Sequence, residues 1–93
     1  MTSNSIKLKL KKALRYIEFA QKAVYTKDYL CYRNLAWKTL QSLLEDTMTH
    51  ELSHNKHRLD IKTLADELGW SESSAMYSLK LSCNAWIQEL THE

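Results

Sequence analysis

The segment HELSH at residues 50–54 contains the residue types and the spacing of a zinc site. On a helix, His50 and His54 lie one turn apart on the same side and can both bind zinc, while Glu51 is placed to activate a water molecule. A catalytic zinc takes a third protein ligand. The conceivable third ligands in this chain are His57, Asp66, Glu67 and Glu72.

The rest of the sequence argues against this chemistry. Metalloproteases with the HExxH motif place it beside a β-sheet that lines the substrate cleft, and the sequence shows no strand pattern. A glycine-rich phosphate loop is excluded because Gly69 is the only glycine. We therefore expect no enzymatic activity and no cofactor, and we interpret the segment from Thr49 to Arg58 as a solvated polar connector. A zinc protein that uses His50, His54 and His57 remains a remote alternative.

The composition predicts an all-α protein. The 93 residues include one glycine and no proline, whereas helix-favouring Leu, Lys, Ala and Glu are abundant. We expect a single domain, built as a compact bundle of about four helices, after a frayed segment at residues 1–5. The predicted helices span residues 6–25, 29–49, 60–68 and 71–90.

The first two predicted helices form a tightly connected pair over residues 6–49. Apolar residues recur at helical spacing, up to Val24 in the first helix and Met48 in the second, around a polar break at residues 26–28. We expect the two helices to pack antiparallel. The pattern of alanines and aromatics resembles the opening pair of a HEPN domain, a helical family that includes RNA-cleaving toxins. That family's nuclease motif, an arginine followed four to six residues on by a histidine, is absent here, so no RNase activity is predicted.

Residues 59–80 predict two helices separated by a sharp turn. Gly69 suits a left-handed helix end, Asp60 can cap the helix before it, and Ser71 can cap the helix after it. With Ala65 four positions before Gly69, the segment resembles the helix-turn-helix of bacterial DNA-binding proteins, although Ser78 stands where that family has an apolar residue. We expect a helix-turn-helix-like unit at residues 59–90.

This resemblance implies a regulatory protein that binds DNA without chemistry, as a homodimer. The residues that would contact nucleic acid are Ser71, Glu72, Ser73, Met76, Tyr77, Lys80 and Lys62. The local charge is unfavourable, since residues 59–93 hold two Lys or Arg against six Asp or Glu, a net of −4. The alternative is that the unit serves only in packing.

The positive charge lies in the other part of the chain. Residues 1–58 hold eleven Lys or Arg against five Asp or Glu, a net of +6. The densest cluster, which we call the basic patch, lies on the outer side of the first helix and consists of Lys7, Lys9, Lys11, Lys12 and Arg15. It is either a solvated face or a contact to phosphates or an acidic partner.

Aromatic residues near the hairpin break allow a second interpretation. Exposed rings beside Lys27 and Arg33 could stack on bases, although such residues more often pack in the core and its rim. The residues concerned are Tyr16, Tyr25, Tyr29, Tyr32 and Trp37.

The last predicted helix carries apolar residues in alternating steps of three and four, which we call the apolar seam. The apolar seam consists of Met76, Leu79, Cys83, Trp86 and Leu90. It packs either on the N-terminal hairpin or on another chain. The main alternative function is therefore a protein-interaction module, an adaptor or inhibitor, that uses this seam or the basic hairpin.

Two further features concern location. The sequence has no apolar run long enough for a bilayer, and its N-terminus lacks the apolar core of a signal peptide, so we expect a cytoplasmic protein with no membrane partner. Cys31 and Cys83 lie in predicted helices without CxxC spacing, which favours free, buried thiols in a reducing compartment.

Overall fold

Four α-helices account for nearly all of the structure described. The computed structural model describes residues 3–49, 51–66 and 73–92. In chain order, the helices are α1 (Ser3–Lys22), α2 (Thr26–Asp46), α3 (Lys56–Asp66) and α4 (Ser73–Thr91). The prediction of an all-α bundle of about four helices is confirmed. The predicted turn at Gly69 and the predicted cap at Ser71 lie outside the described residues.

The α1–α2 hairpin is antiparallel, as predicted. Lys9 near the start of α1 contacts Asp46 at the end of α2, and the rings of Phe19 and Tyr32 meet closer to the connection. The predicted boundaries were wrong, because the connection consists of residues 23–25 and Thr26 already starts α2. Helix α1 also begins at Ser3, so residues 3–5 are helical rather than frayed.

The start of α3 lies four residues before its predicted position. The Asn55 side chain caps the helix, since its Oδ1 accepts hydrogen bonds from the backbone N–H groups of His57 at 2.9 Å and Arg58 at 3.3 Å. Asp60 therefore lies inside α3, and its predicted role as the cap is wrong. The polar connector is correspondingly shorter than predicted.

Helix α4 lies against α1 and runs antiparallel to it. Lys80 of α4 forms an ion pair with Glu18 of α1. Every residue of the apolar seam is buried, and the seam joins the apolar side of α1 in one core cluster. The sequence left two packing partners open, the N-terminal hairpin and another chain. The seam packs on the hairpin of its own chain, so its five residues are core residues rather than an exposed interface.

A buried arginine holds the connector against the end of α2. Arg58 donates from Nε to Thr47 Oγ1 at 2.8 Å, from Nη1 to the Ser53 carbonyl at 3.0 Å and from Nη2 to the Leu44 carbonyl at 2.9 Å. The last carbonyls of a helix lack helical partners and carry partial negative charge. The guanidinium therefore satisfies acceptors at the C-terminus of α2.

Three apolar side chains differ from their predicted burial. Val24 and Met48 are exposed, because α1 and α2 end before these residues and neither lies on a core-facing helical position. Cys31 is exposed on α2, whereas Cys83 is buried, and both thiols are free. None of the four helices, over the residues described, combines the length and apolar character needed to cross a membrane.

Candidate nucleic-acid interface

A strip of positive charge runs along the solvent side of the α1–α2 hairpin. Helical spacing of three and four residues places exposed Lys11, Lys12, Arg15 and Lys22 on one side of α1, and exposed Lys38 projects from α2. We call these five residues the basic face. It forms because the opposite side of α1 is apolar and is buried, which leaves the basic side to water.

Two shallow grooves lie on the basic face of the hairpin. One groove of about 300 Å³ runs between α1 and α2 and is lined by Lys12, Tyr16, Lys38 and Thr39, among others. A second, of about 400 Å³, adjoins it on α1 and also contains Lys12 and Tyr16, together with Arg15. The grooves share Lys12 and Tyr16, so they are adjacent on this face, and cations line both of them.

The cations of the basic face have no carboxylate partners among the residues described. This distinguishes them from Lys9, which pairs with Asp46 and donates to Ser42 Oγ at 3.0 Å. Lys9 is therefore neutralised against α2, and Lys7 is half-buried, so the predicted basic patch is only partly on the outer side of α1. An array of free cations attracts a polyanion, because each phosphate that it neutralises releases counterions.

The predicted helix-turn-helix-like unit exposes fewer of its predicted contact residues than expected, over the part of it that the structure describes. Met76 is buried and accepts a 3.7 Å hydrogen bond on its sulfur from the Tyr29 hydroxyl, so the expectation that it lies exposed toward bases is wrong. Lys80 is half-buried and pairs with Glu18 at 3.7 Å. Tyr77 and Lys62 are exposed.

The remaining predicted contacts of this unit cannot be placed. Ser71 and Glu72 lie outside the described residues, and so does the side chain of Ser73. The described part of α3 and α4 therefore offers one exposed aromatic residue and one exposed lysine from the predicted set.

The histidine segment does not have the helical geometry of an HExxH zinc site. Residues 51–54 form turns and are followed by the cap of α3, and His50 lies outside the described residues. His54 is exposed, and His57 points to Glu89, with Nε2 3.0 Å from the carboxylate. No group of three or more potential metal ligands is present in the described part of the chain.

The Cys83 thiol is a poor nucleophile in this fold. Burial raises the pKa of the Cys83 thiol to about 12, because the interior of the bundle cannot solvate a thiolate. The thiolate is the nucleophilic form of cysteine, so the role of Cys83 is packing in the core.

Comparison with protein families, curated proteins and solved structures finds no match to this chain.

The sequence pointed to part of this interface and missed the rest. Lys11, Lys12 and Arg15 were predicted as a basic cluster, and Tyr16 as a candidate aromatic. Lys22 at the end of α1, Lys38 from the other helix and the exposed Phe19 were missed. For Lys38, a helical projection of α2 aligned antiparallel to α1 would have provided the signal; Phe19 lies four residues after Arg15 on the same side of α1.

Proposed function

We propose that the protein is a non-catalytic nucleic-acid-binding protein whose phosphate contacts come from the basic face of the α1–α2 hairpin. The proposal keeps the predicted class of function and moves the main contact from the helix-turn-helix-like unit to α1 and α2. A regulatory role and a dimeric state are further parts of the proposal that follow from the resemblance to helix-turn-helix proteins.

The observation that carries the proposal is the difference between paired and free cations. Lys9 and Lys80 form ion pairs with Asp46 and Glu18, whereas the basic face collects five cations with no carboxylate partner in the described structure. A polyanion is the ligand that uses such an array most fully, since its affinity depends on the number of phosphates neutralised.

Removing two charges from the basic face should weaken binding and reduce its dependence on salt. For Lys12→Gln/Lys38→Gln, we expect the slope of log K against log salt to decrease in magnitude by about 1.4 to 1.8, because each neutralised phosphate contributes roughly 0.7 to 0.9. The affinity at about 50 mM salt should fall at least tenfold. Fluorescence anisotropy of labelled mixed-sequence oligonucleotides across a salt series measures both quantities.

The matched control is Lys56→Gln/Lys62→Gln, which removes two exposed lysines from α3 and leaves the net charge equal to that of the test variant. Its slope and affinity should stay close to those of the native chain. If the α3 variant loses binding and the hairpin variant does not, the contact lies in the helix-turn-helix-like unit. If the native chain binds nothing at low salt and tens of micromolar protein, the proposal fails.

A protein-interaction function is supported by one separate observation. Leu8 is 68% exposed and lines the same groove as Lys11 and Arg15. An apolar side chain adds little to phosphate binding but suits the apolar side of an acidic, amphipathic partner helix.

This alternative predicts that Leu8→Ser abolishes association with a protein partner or a second copy of the chain. The measurement is capture on immobilised protein together with sedimentation of the free chain. Leu81→Ser, which changes an exposed leucine on α4, is the control and should retain the association. Equal behaviour of the two variants would count against the alternative.

A further inference from the structure

We infer that the basic face binds single-stranded nucleic acid in preference to a duplex, with the ring of Phe19 as a stacking platform for a base. This inference rests on the proposed function and adds the class of nucleic acid and the residue that would read it. It uses Phe19 and the width of the hairpin, neither of which entered the argument for phosphate binding.

The width of the hairpin prevents the basic face from entering a duplex groove. Packed helices lie 8–10 Å apart and each is about 10–12 Å across, so a surface made by two of them is roughly 20 Å wide. The major groove of B-DNA is about 12 Å wide. The molecule measures 39 × 22 × 19 Å, and α1 is flanked by α2 on one side and by α4 on the other. On a duplex, the basic face can therefore contact only the phosphate backbone and not the base edges.

A single strand removes this restriction because its bases are free to approach the protein. Phe19 is 45% exposed on α1, and its ring centroid lies 5.2 Å from that of half-buried Tyr32, at an interplanar angle of 44°. The contact with Tyr32 holds the Phe19 ring in place without covering it. A fixed ring that is open to solvent can stack on any base.

Cations lie on both sides of this ring along α1. Arg15 precedes Phe19 by four residues and Lys22 follows it by three, which corresponds to about one helical turn, or roughly 5 Å, in each direction. A nucleotide whose base stacks on Phe19 therefore has cations within reach of its own phosphate and of the next. Alternation of cations and exposed rings is the pattern of single-strand binding surfaces.

The test compares one labelled mixed-sequence oligonucleotide, alone and annealed to its complement, by anisotropy at fixed salt. We expect the native chain to bind the single strand more tightly. Phe19→Leu, which keeps an apolar side chain but removes the aromatic face, should weaken single-strand binding about tenfold and leave duplex binding unchanged. Leu81→Ala is the control for an exposed apolar side chain on α4, and it should bind the single strand as the native chain does. Circular dichroism verifies that both variants are folded.

The possible results distinguish the single-strand inference from the proposed function on which it rests. Equal or tighter binding of the duplex by the native chain would overturn the single-strand inference and leave the proposed function standing, and this comparison requires no variant. Single-strand preference with no effect of Phe19→Leu would remove Phe19 as the platform. Binding of neither oligonucleotide would overturn both proposals.

Discussion

Replacement of Trp86 with alanine is expected to lower the free energy of unfolding by about 3 to 5 kcal/mol. Among the residues described, Trp86 is the largest fully buried side chain, at 0% exposure, and α4 carries it into the core that α1 shares. Its removal combines the loss of buried apolar area with a cavity that a bundle of this size cannot close. A domain of this length has a total stability of only about 5 to 14 kcal/mol. Urea unfolding followed by circular dichroism measures the change.

Trp86→Phe is the matched variant, and it should cost about 1 kcal/mol or less. The indole Nε1 of Trp86 is buried and has no hydrogen-bond partner among the residues described. Leaving such a donor unpaired costs about 1 to 3 kcal/mol, so the phenyl ring offsets its smaller apolar area by removing that penalty. Equal losses for Ala and Phe would show that the indole nitrogen is satisfied and that the core does not depend on ring volume.

The same burial changes the expected outcome of a charge at this position. If the apolar seam were an interface between chains, Trp86→Glu would dissociate folded subunits. Because Trp86 lies in the core of its own chain, the buried carboxylate should instead unfold the chain.

Arg58→Met is expected to destabilise the protein by about 3 kcal/mol. Arg58 is 7% exposed, and its guanidinium donates three hydrogen bonds, two of them to main-chain carbonyls. A hydrogen bond from a charged donor contributes roughly 1.5 to 3 kcal/mol, and methionine leaves the partly buried carbonyls of Ser53 and Leu44 without this donor. The loss also removes a cation from the negative end of α2. Urea midpoints at unchanged m-value report this change.

Two companion variants isolate the geometry from the charge. Arg58→Lys keeps the cation but presents one ammonium to acceptors that lie in three directions, so we expect a loss of roughly half that of methionine. Lys56→Met changes an exposed lysine in the first turn of the same helix and should alter stability by less than about 0.5 kcal/mol. If Arg58→Met behaved like Lys56→Met, the arginine would not be holding the connector to α2.

The helices were predictable wherever burial imposes a period on the sequence. Ile6, Leu10 and Ile17 recur because one side of α1 must face the core, and the apolar seam of α4 recurs for the same reason. The period indicates which side of a helix is buried, but not which helix or chain packs against that side. Whether the seam faced the hairpin or another chain therefore required the structure.

The element boundaries were harder to predict, because the local signals were misleading or missing. Asn55 and Asp60 are both good caps. With Asn55 as the cap, Arg58 lies in the first turn of α3 and reaches the end of α2, a contact 14 residues away that the local pattern does not show. At the start of α2, Tyr25 occupies the cap position without a side-chain hydrogen bond. The start of α2 therefore has no capping side chain, and Asp28 in its first turn is the only local signal there.

Only part of the candidate site could be predicted, because sequence spacing shows local clusters but not contacts between distant residues. The clustering of Lys11, Lys12 and Arg15 is local and can be read from spacing alone. Neutralisation of Lys9 depends on Asp46, which is 37 residues away in sequence. The same holds for Lys38, whose position beside Lys12 follows from the register of the hairpin.

The Asn55 side chain also links the start of α3 to the end of α4. Besides capping α3, it donates from Nδ2 to Glu89 of α4 at 3.0 Å, and Glu89 also contacts His57. The final turns of a helix ordinarily fray first and exchange their amide protons fastest. Here, fraying of α4 at Glu89 would break contacts to the first turn of α3. We therefore expect the two segments to open together, with similar protection from amide exchange at the end of α4 and at the start of α3.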